Sequence, residues 1–214
     1  SHCWRPTSHD AVSPNACCET TRPTGTSGKY EEPVTTDPLP AFRYHPDPIA
    51  TGSVDQSSAV CRVCGVLRGA IYVGPVFSVE EIGHEICAWC LAEGRAAELL
   101  GAEFTDVGWG VPDDIPSEVT DEIAKRTPGF IGWQQEHWLY HCSDGAAFLG
   151  RAGFEELREH PDAIEMLLRE NDEFGWTEEQ SDAYVKALHR DGDARAYLFR
   201  CLHCGRHLAY SDMS

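Results

Sequence analysis

Apolar positions recur with different periods along the chain, and the changes of period mark its elements. The first 33 residues are rich in Ser, Thr, Pro and Gly and show no hydrophobic period. Such a stretch cannot bury enough apolar surface to offset its ordering entropy, so it is predicted to be disordered. The run Leu39 to Pro48 carries prolines at 40, 46 and 48 and reads as extended. Ala70 to Phe77 is strand-like, with a bend at Gly74-Pro75. Ser78 followed by Glu81 has the spacing of a capping box for a short helical turn. Leu91 to Gly101 consists of good helix formers. Pro112 to Pro116 is a linker, and Ser117 to Arg126 is predicted helical, closed before Pro128. Trp133 to Leu149 predicts a hairpin around Ser143-Asp144-Gly145, and two or three helices fill 153–190. Tyr197, Phe199 and Cys201 alternate with Leu198 and Arg200, which predicts a final hairpin over Ala196 to Ala209. The expected division is 1–38 as an N-terminal extension, 39–112 as one module and 113–214 as a second.

Composition narrows the function classes. The chain has 214 residues, 42% of them hydrophobic, and a formal net charge of −18. Half of that charge lies in 154–193, where 13 Asp and Glu face 4 Lys and Arg. The apolar residues of this section, among them Ala163, Met166, Leu167, Tyr184, Val185 and Leu188, fall at helical spacings, so the helices are amphipathic with acidic outer faces. An acidic face serves solubility, and it also suits a basic protein partner. The acidity argues against nucleic acid, whose affinity comes largely from Lys and Arg on phosphates. A local strip of Arg195, Arg200 and Arg206 is the exception to weigh. No apolar run is long enough for a membrane span. No stretch has the form of a signal peptide, so a cytoplasmic, reducing compartment is expected. The chain begins at Ser1 rather than Met, which reads as a fragment or an upstream start, with Val34 as an alternative initiation point. A mature N-terminus well before Val34 overturns that last expectation.

Of the 10 cysteines, Cys3, Cys17 and Cys18 lie in the N-terminal extension and read as incidental. Six of the other seven form the CxxC pairs Cys61/Cys64, Cys87/Cys90 and Cys201/Cys204. In a reducing compartment such pairs read as metal ligands before disulfides. The first two pairs are separated by 22 residues, close to the usual spacing of a four-thiolate zinc site. A knuckle ending in Gly65, a hairpin, and a helix whose first turn carries Cys87 and Cys90 is the order of a treble-clef zinc finger. A thioredoxin-like dithiol at Cys87-Ala-Trp-Cys90 is the weaker reading, because that fold needs a βαβ context.

Cys201/Cys204 is half of a zinc ribbon and needs two more ligands. Cys142 and His141 are the first choice, with His137, His203, His207 and Asp144 in reserve. Successive strand residues point to opposite faces, so His141 and Cys142 can converge only near a turn. The expected fold is therefore α+β: a treble-clef-like zinc module followed by a zinc-ribbon-like sheet with inserted acidic helices. The expected cofactor is Zn2+, two per chain.

Catalytic signals are sparse. The sequence has no HExxH, no GxSxG and no phosphate-binding glycine loop. A hydrolase at the C-terminal site would use either the Cys142 thiol beside His141, a poor dyad if both lie on one strand, or an open position on the second zinc with Asp144, Glu136 or His137 as base. Trp133 and Trp138 are read as packing at the joint between the modules rather than as a binding face.

The runs LPAFRYHPDPIATGSV, CRVCG, IYVGPVFS, ICAWCLAEGRAAELLGAEFTD, RTPGFIGWQQEHWLYHC and LFRCLHCG resemble the CbrC family. The resemblance spans Leu39 to Asp212. Members are small, mostly bacterial proteins, one of them linked to colicin E2 tolerance and to a two-component regulator. The resemblance implies no catalytic residue. It does imply that the three CxxC pairs and His141-Cys142 are family positions, in a family without established biochemical activity. The expected role is that of a protein-interaction or stress-response factor with structural zinc.

Overall fold

The N-terminal elements are short, and turns at Gly74-Pro75, Gly94 and Gly101 stop three of them. The computed structural model describes residues 37–213 apart from 84 and 109. The expectations for residues 1–36, including Cys3, Cys17, Cys18 and Val34, lie outside the described residues. Strands β1 (Val54–Gln56), β2 (Ala70–Tyr72) and β3 (Ile86–Cys87) form an antiparallel sheet in the order β1-β2-β3. β2 ends sooner than its apolar run predicts, because the chain bends at Gly74-Pro75 and the Tyr72 hydroxyl donates to the Pro75 carbonyl at 2.6 Å. The stretch after Ser78 forms no helix. Its hydroxyl bonds the Glu80 carbonyl instead, a local side-chain bond that competes with a helical turn.

Helix α1 (Ala88–Ala92) starts directly from β3, and α2 (Arg95–Leu100) follows. A single helix was expected here. Gly94, at φ +76, breaks it in two, a backbone state that costs glycine little. Helix α3 (Ser117–Arg126) ends at Thr127 before Pro128, as expected.

The second sheet is antiparallel, in the order β4-β5-β6-β7, from β4 (Tyr140–His141), β5 (Asp144–Ala152), β6 (Ala194–Cys201) and β7 (His207–Met213). Between β5 and β6 the chain inserts α4 (Phe154–Leu157), α5 (Pro161–Glu173) and α6 (Glu178–Ala187). Proline occupies the first helical position of α5. Thr177 and Gln180 close a reciprocal capping box at the start of α6. The sheet is buried on both faces. Phe148, Tyr197, Phe199, Leu208 and Tyr210 pack with Tyr44, Ile123, Phe130 and Trp138 on one side. Ala196, Leu198 and Ala209 meet Leu157, Ala163, Leu167, Val185 and Leu188 of the inserted helices on the other. The acidic outer faces of those helices follow from this placement.

The segment 39–48 forms no strand, yet it ties the two sheets together. Phe42 lies in the core of the N-terminal sheet and Tyr44 in that of the second. The Tyr44 carbonyl accepts from the Phe148 N–H at 2.8 Å. Trp138 is buried, its indole N–H donating to the Ala146 carbonyl at 3.0 Å. Trp133 departs from expectation: it is 62% exposed. Its backbone N–H, rather than its ring, is held, by Tyr197 and Asp212.

His45 is fully buried between the Pro128 carbonyl, 2.6 Å from Nδ1, and the Thr51 hydroxyl, 2.6 Å from Nε2. Burial pushes its imidazole down to about 4, against the opposing pull of the Pro128 bond and of Asp47. A folded value below the ordinary 6.5 means the native state binds fewer protons than the unfolded chain between those two pH values. This group's contribution is thus fully present above pH 6.5 and is lost as pH falls toward 4. Acidification across that window is expected to remove up to about 3 kcal/mol through this one residue. Urea denaturation of His45→Gln at several pH values should show a flatter dependence, and parallel curves for the two proteins would refute the assignment.

Candidate metal centres

Two knuckles with the same hydrogen-bond pattern present the first and third CxxC pairs. In one, the Gly65 N–H donates to the Cys61 carbonyl at 2.7 Å and the Cys61 N–H to the Val66 carbonyl at 3.1 Å. In the other, the Gly205 N–H donates to the Cys201 carbonyl at 3.1 Å and the Cys201 N–H to the Arg206 carbonyl at 2.8 Å. Gly65 and Gly205 both take a positive φ, +70 and +76, which closes each turn.

Cys87 and Cys90 come from the β3–α1 junction. Cys87 is the N-cap of α1, and its sulfur accepts the Cys90 N–H at 3.5 Å. The Cys61 sulfur accepts the Cys87 N–H at 3.3 Å. The four sulfurs of Cys61, Cys64, Cys87 and Cys90 all lie within 4.8 Å of one another. Cys64 and Cys87 are 3.9 Å apart at sulfur. Four thiolates around one zinc at about 2.3 Å stand about 3.8 Å from each other, so the donor set has the right size and chemistry.

The second group joins Cys201 and Cys204 to His141 and Cys142, again with donor atoms within 4.8 Å. Adjacency is resolved by a turn. His141 ends β4 and pairs with Asp144, while Cys142 and Ser143 both adopt φ +55, the sense of a type I′ hairpin turn. The Ser143 hydroxyl fixes this turn by donating to Asp114 at 2.6 Å. His141 Nδ1 lies 3.2 Å from the Cys142 sulfur and 3.5 Å from the Cys204 sulfur. A tetrahedral zinc places nitrogen and sulfur ligands about 3.5 Å apart, so this set fits as well. The reserve residues lie outside the group. His137 packs on Tyr210, His207 stacks on His160, and Asp144 and His203 bond each other.

The electrostatics of the two clusters match. Burial raises the Cys61 thiol, but N–H groups of Cys87, Cys64 and Val63 outweigh it and bring it down to about 7. Burial likewise opposes, and the N–H groups of Cys204 and His203 overcome, to bring Cys201 down to about 6. Cys87 goes the other way, pushed up to about 11 by burial and by its charged neighbour Cys61. One thiol in each cluster thus ionises more readily than an ordinary cysteine. The clusters differ in access: Cys61, Cys87 and Cys90 are buried, whereas Cys142 and Cys204 are exposed.

Sequence reasoning did not find the partners of Asp144. This buried carboxylate accepts from the Tyr44 hydroxyl at 2.7 Å and the Arg43 guanidinium at 2.5 Å, and meets His203 Nε2 at 2.8 Å. It thereby braces both the turn that carries Cys142 and the knuckle that carries Cys204. The only trace in the sequence is the Arg43-Tyr44-His45 triplet, a hundred residues upstream. The basic strip does not form either. Arg195 and Arg200 are five apart on β6 and so face opposite sides, and Arg206 pairs with Glu165 at 3.1 Å.

A family model described as an uncharacterised protein family, UPF0167, matches residues 39–213. The chain belongs to UPF0167. Two UPF0167 relatives extend along nearly their whole lengths. UPF0167 protein Mb2317 of Mycobacterium bovis is 49% identical over 184 residues, which cover 86% of this chain and 98% of that protein. UPF0167 protein PA1536 of Pseudomonas aeruginosa is 39% identical over 170 residues, covering 79% and 94%. No solved structure matches. Among the described residues no helix of this UPF0167 chain is long and apolar enough to cross a membrane.

Proposed function

We propose that the chain is a zinc-stabilised, cytoplasmic interaction protein that holds two Zn2+. Cys61, Cys64, Cys87 and Cys90 hold the first, in a treble-clef-like module. His141, Cys142, Cys201 and Cys204 hold the second, in a ribbon-like sheet. The observation that carries this reading is the convergence of two four-donor groups, seven thiols and one imidazole, with the donor atoms of each group within 4.8 Å of one another. Thiolate-rich sets select zinc among the common divalent ions, and four protein ligands are the mark of structural sites. A hydrolytic zinc keeps an open position, which a fully protein-filled donor set does not offer. The acidic faces of α4–α6 suit a basic protein partner, and the CbrC resemblance points the role toward stress or colicin tolerance.

Metal analysis of the purified chain tests the proposal. Two tightly held zinc ions per chain are expected, falling to one in Cys204→Ser. Fewer than one zinc in the unsubstituted protein would overturn it.

A further inference from the structure

The two four-donor groups have similar ligands in different surroundings, and oxidation discriminates between such surroundings. We propose that the C-terminal group is a site of oxidative modification, at which hydrogen peroxide joins Cys142 to Cys204 and displaces the zinc while the N-terminal group keeps its own. This rests on the reading of both groups as zinc sites. Thiols oxidise according to their thiolate character and their access to solvent. Zinc binding requires the ligating cysteines of both groups to be thiolates, so access decides between them. Cys142 and Cys204 are both exposed. In the N-terminal group Cys61, Cys87 and Cys90 are buried, which leaves half-buried Cys64 without an accessible partner thiol.

Position selects the pair. Cys142 lies in the β4–β5 turn and Cys204 in the β6–β7 knuckle, on either side of the helical insertion in sequence. Their sulfurs lie within 4.8 Å of each other, and both flank His141 Nδ1, at 3.2 and 3.5 Å. A contact that needs no metal holds the turn to the knuckle. Asp144, two residues after Cys142, meets Nε2 of His203, the residue before Cys204, at 2.8 Å. Asp144 is itself anchored on Tyr44 and Arg43, and Ser143 on Asp114. These bonds keep the two exposed sulfurs near each other once zinc is lost, so a disulfide can close within the molecule and reopen without refolding. Cys201 is the less available third thiol: it is buried, and its sulfur accepts the His203 N–H at 3.4 Å.

The reaction takes two steps. One of the two exposed thiolates attacks a peroxide oxygen; the S–O bond forms as the O–O bond breaks, and the departing oxygen takes a proton and leaves as water. The other thiolate then attacks the sulfur of this sulfenic acid. The S–S bond forms, the S–O bond breaks, and the hydroxide takes a second proton and leaves as a second water. Each sulfur gives up one electron, and the peroxide receives both. His141 and Cys201 then remain, two donors where a structural zinc takes four, so the ion passes to solvent.

The test treats the zinc-loaded full chain, its metal content measured beforehand, with a small excess of hydrogen peroxide. A chromophoric chelator follows zinc release, and peptide mass mapping locates the disulfide. One zinc per chain is expected to leave, at least about ten-fold faster than the other, together with formation of a Cys142–Cys204 disulfide. A thiol reductant with added zinc should reverse both changes. His203→Ala, which removes the brace but no ligand, should still hold two zincs and close the disulfide about three-fold more slowly, read as a longer-lived sulfenic acid trapped by dimedone. Closure at the unsubstituted rate would overturn the role given to the Asp144–His203 contact. Retention of both zincs under peroxide, their release at equal rates, or a Cys201–Cys204 bridge in place of the expected one overturns the inference and leaves the two-zinc reading intact. Untreated protein that holds no zinc overturns both.

Discussion

Zinc removal is expected to unfold the N-terminal half of the molecule while the C-terminal sheet persists. The strands β1, β2 and β3 have three, three and two residues. A sheet so small is not stable in water on its own. Cys61, Cys87 and Cys90 are themselves part of its core, beside Ile71, Tyr72, Ile86 and Leu91. Apo-thiols there must be accommodated as four sulfurs crowded without a cation. A structural zinc contributes about 10–16 kcal/mol to folding at neutral pH, more than the whole stability of most domains. The second sheet has nine-, eight- and seven-residue strands with apolar packing on both faces. A metal at its four-donor group would clip a turn to a knuckle rather than hold up the core. A chromophoric chelator should therefore withdraw zinc in two phases, first from the cluster with exposed Cys142 and Cys204. The second phase should carry the loss of dispersed amide signals from residues 54–104. Retention of those signals in fully zinc-free protein would show that the metal is dispensable there.

Phe148→Ala should be the most damaging change away from the clusters, at about 3–5 kcal/mol. The ring is 1% exposed and lies at the centre of an aromatic group. It stacks on Phe130 at 3.9 Å, meets His45 edge to face at 5.0 Å, and lies 5.1 Å from Phe199. Truncation removes the apolar burial and leaves a cavity that Phe130 and Phe199, each locked in other contacts, cannot collapse into. Urea denaturation with zinc in excess measures the effect as a fall in midpoint at constant slope. Phe148→Leu, which refills most of the space, should lose about half as much. A loss under about 1 kcal/mol for the alanine variant would mean that the aromatic group is not the keystone of this core.

The two four-donor groups were legible because their signals are local. A CxxC spacing followed by glycine announces a knuckle whatever the rest of the chain does, and both knuckles are built on that pattern. Helix α3 was equally plain, bounded by Pro116 and Pro128. The features that escaped are non-local. Asp144 finds Arg43 and Tyr44 across a hundred residues, through a segment with no regular structure. Trp133 stays exposed although Phe130 and Trp138 on either side of it are core, because its main chain, not its ring, is claimed by Tyr197 and Asp212. The break at Gly94 overrode a run of good helix formers, since the chain must turn after Ala92 to pack α2. Local rules also overpredicted the turn after Ser78, where one hydroxyl-to-carbonyl bond replaced a capping box.

The two clusters differ in how far apart their ligands lie along the chain, and this sets an order of events during synthesis. Cys61 to Cys90 emerge from the ribosome within a single short stretch. His141 and Cys204 are separated by the whole helical insertion and by strands β5 and β6. Closing the first loop is entropically cheap, whereas the second group can assemble only after β6 has paired with β5 and the last knuckle has been made. A nascent chain can therefore capture its first metal while the second half is still untranslated. A second metal would then act as a late latch, set only when the C-terminal hairpin has reached its place.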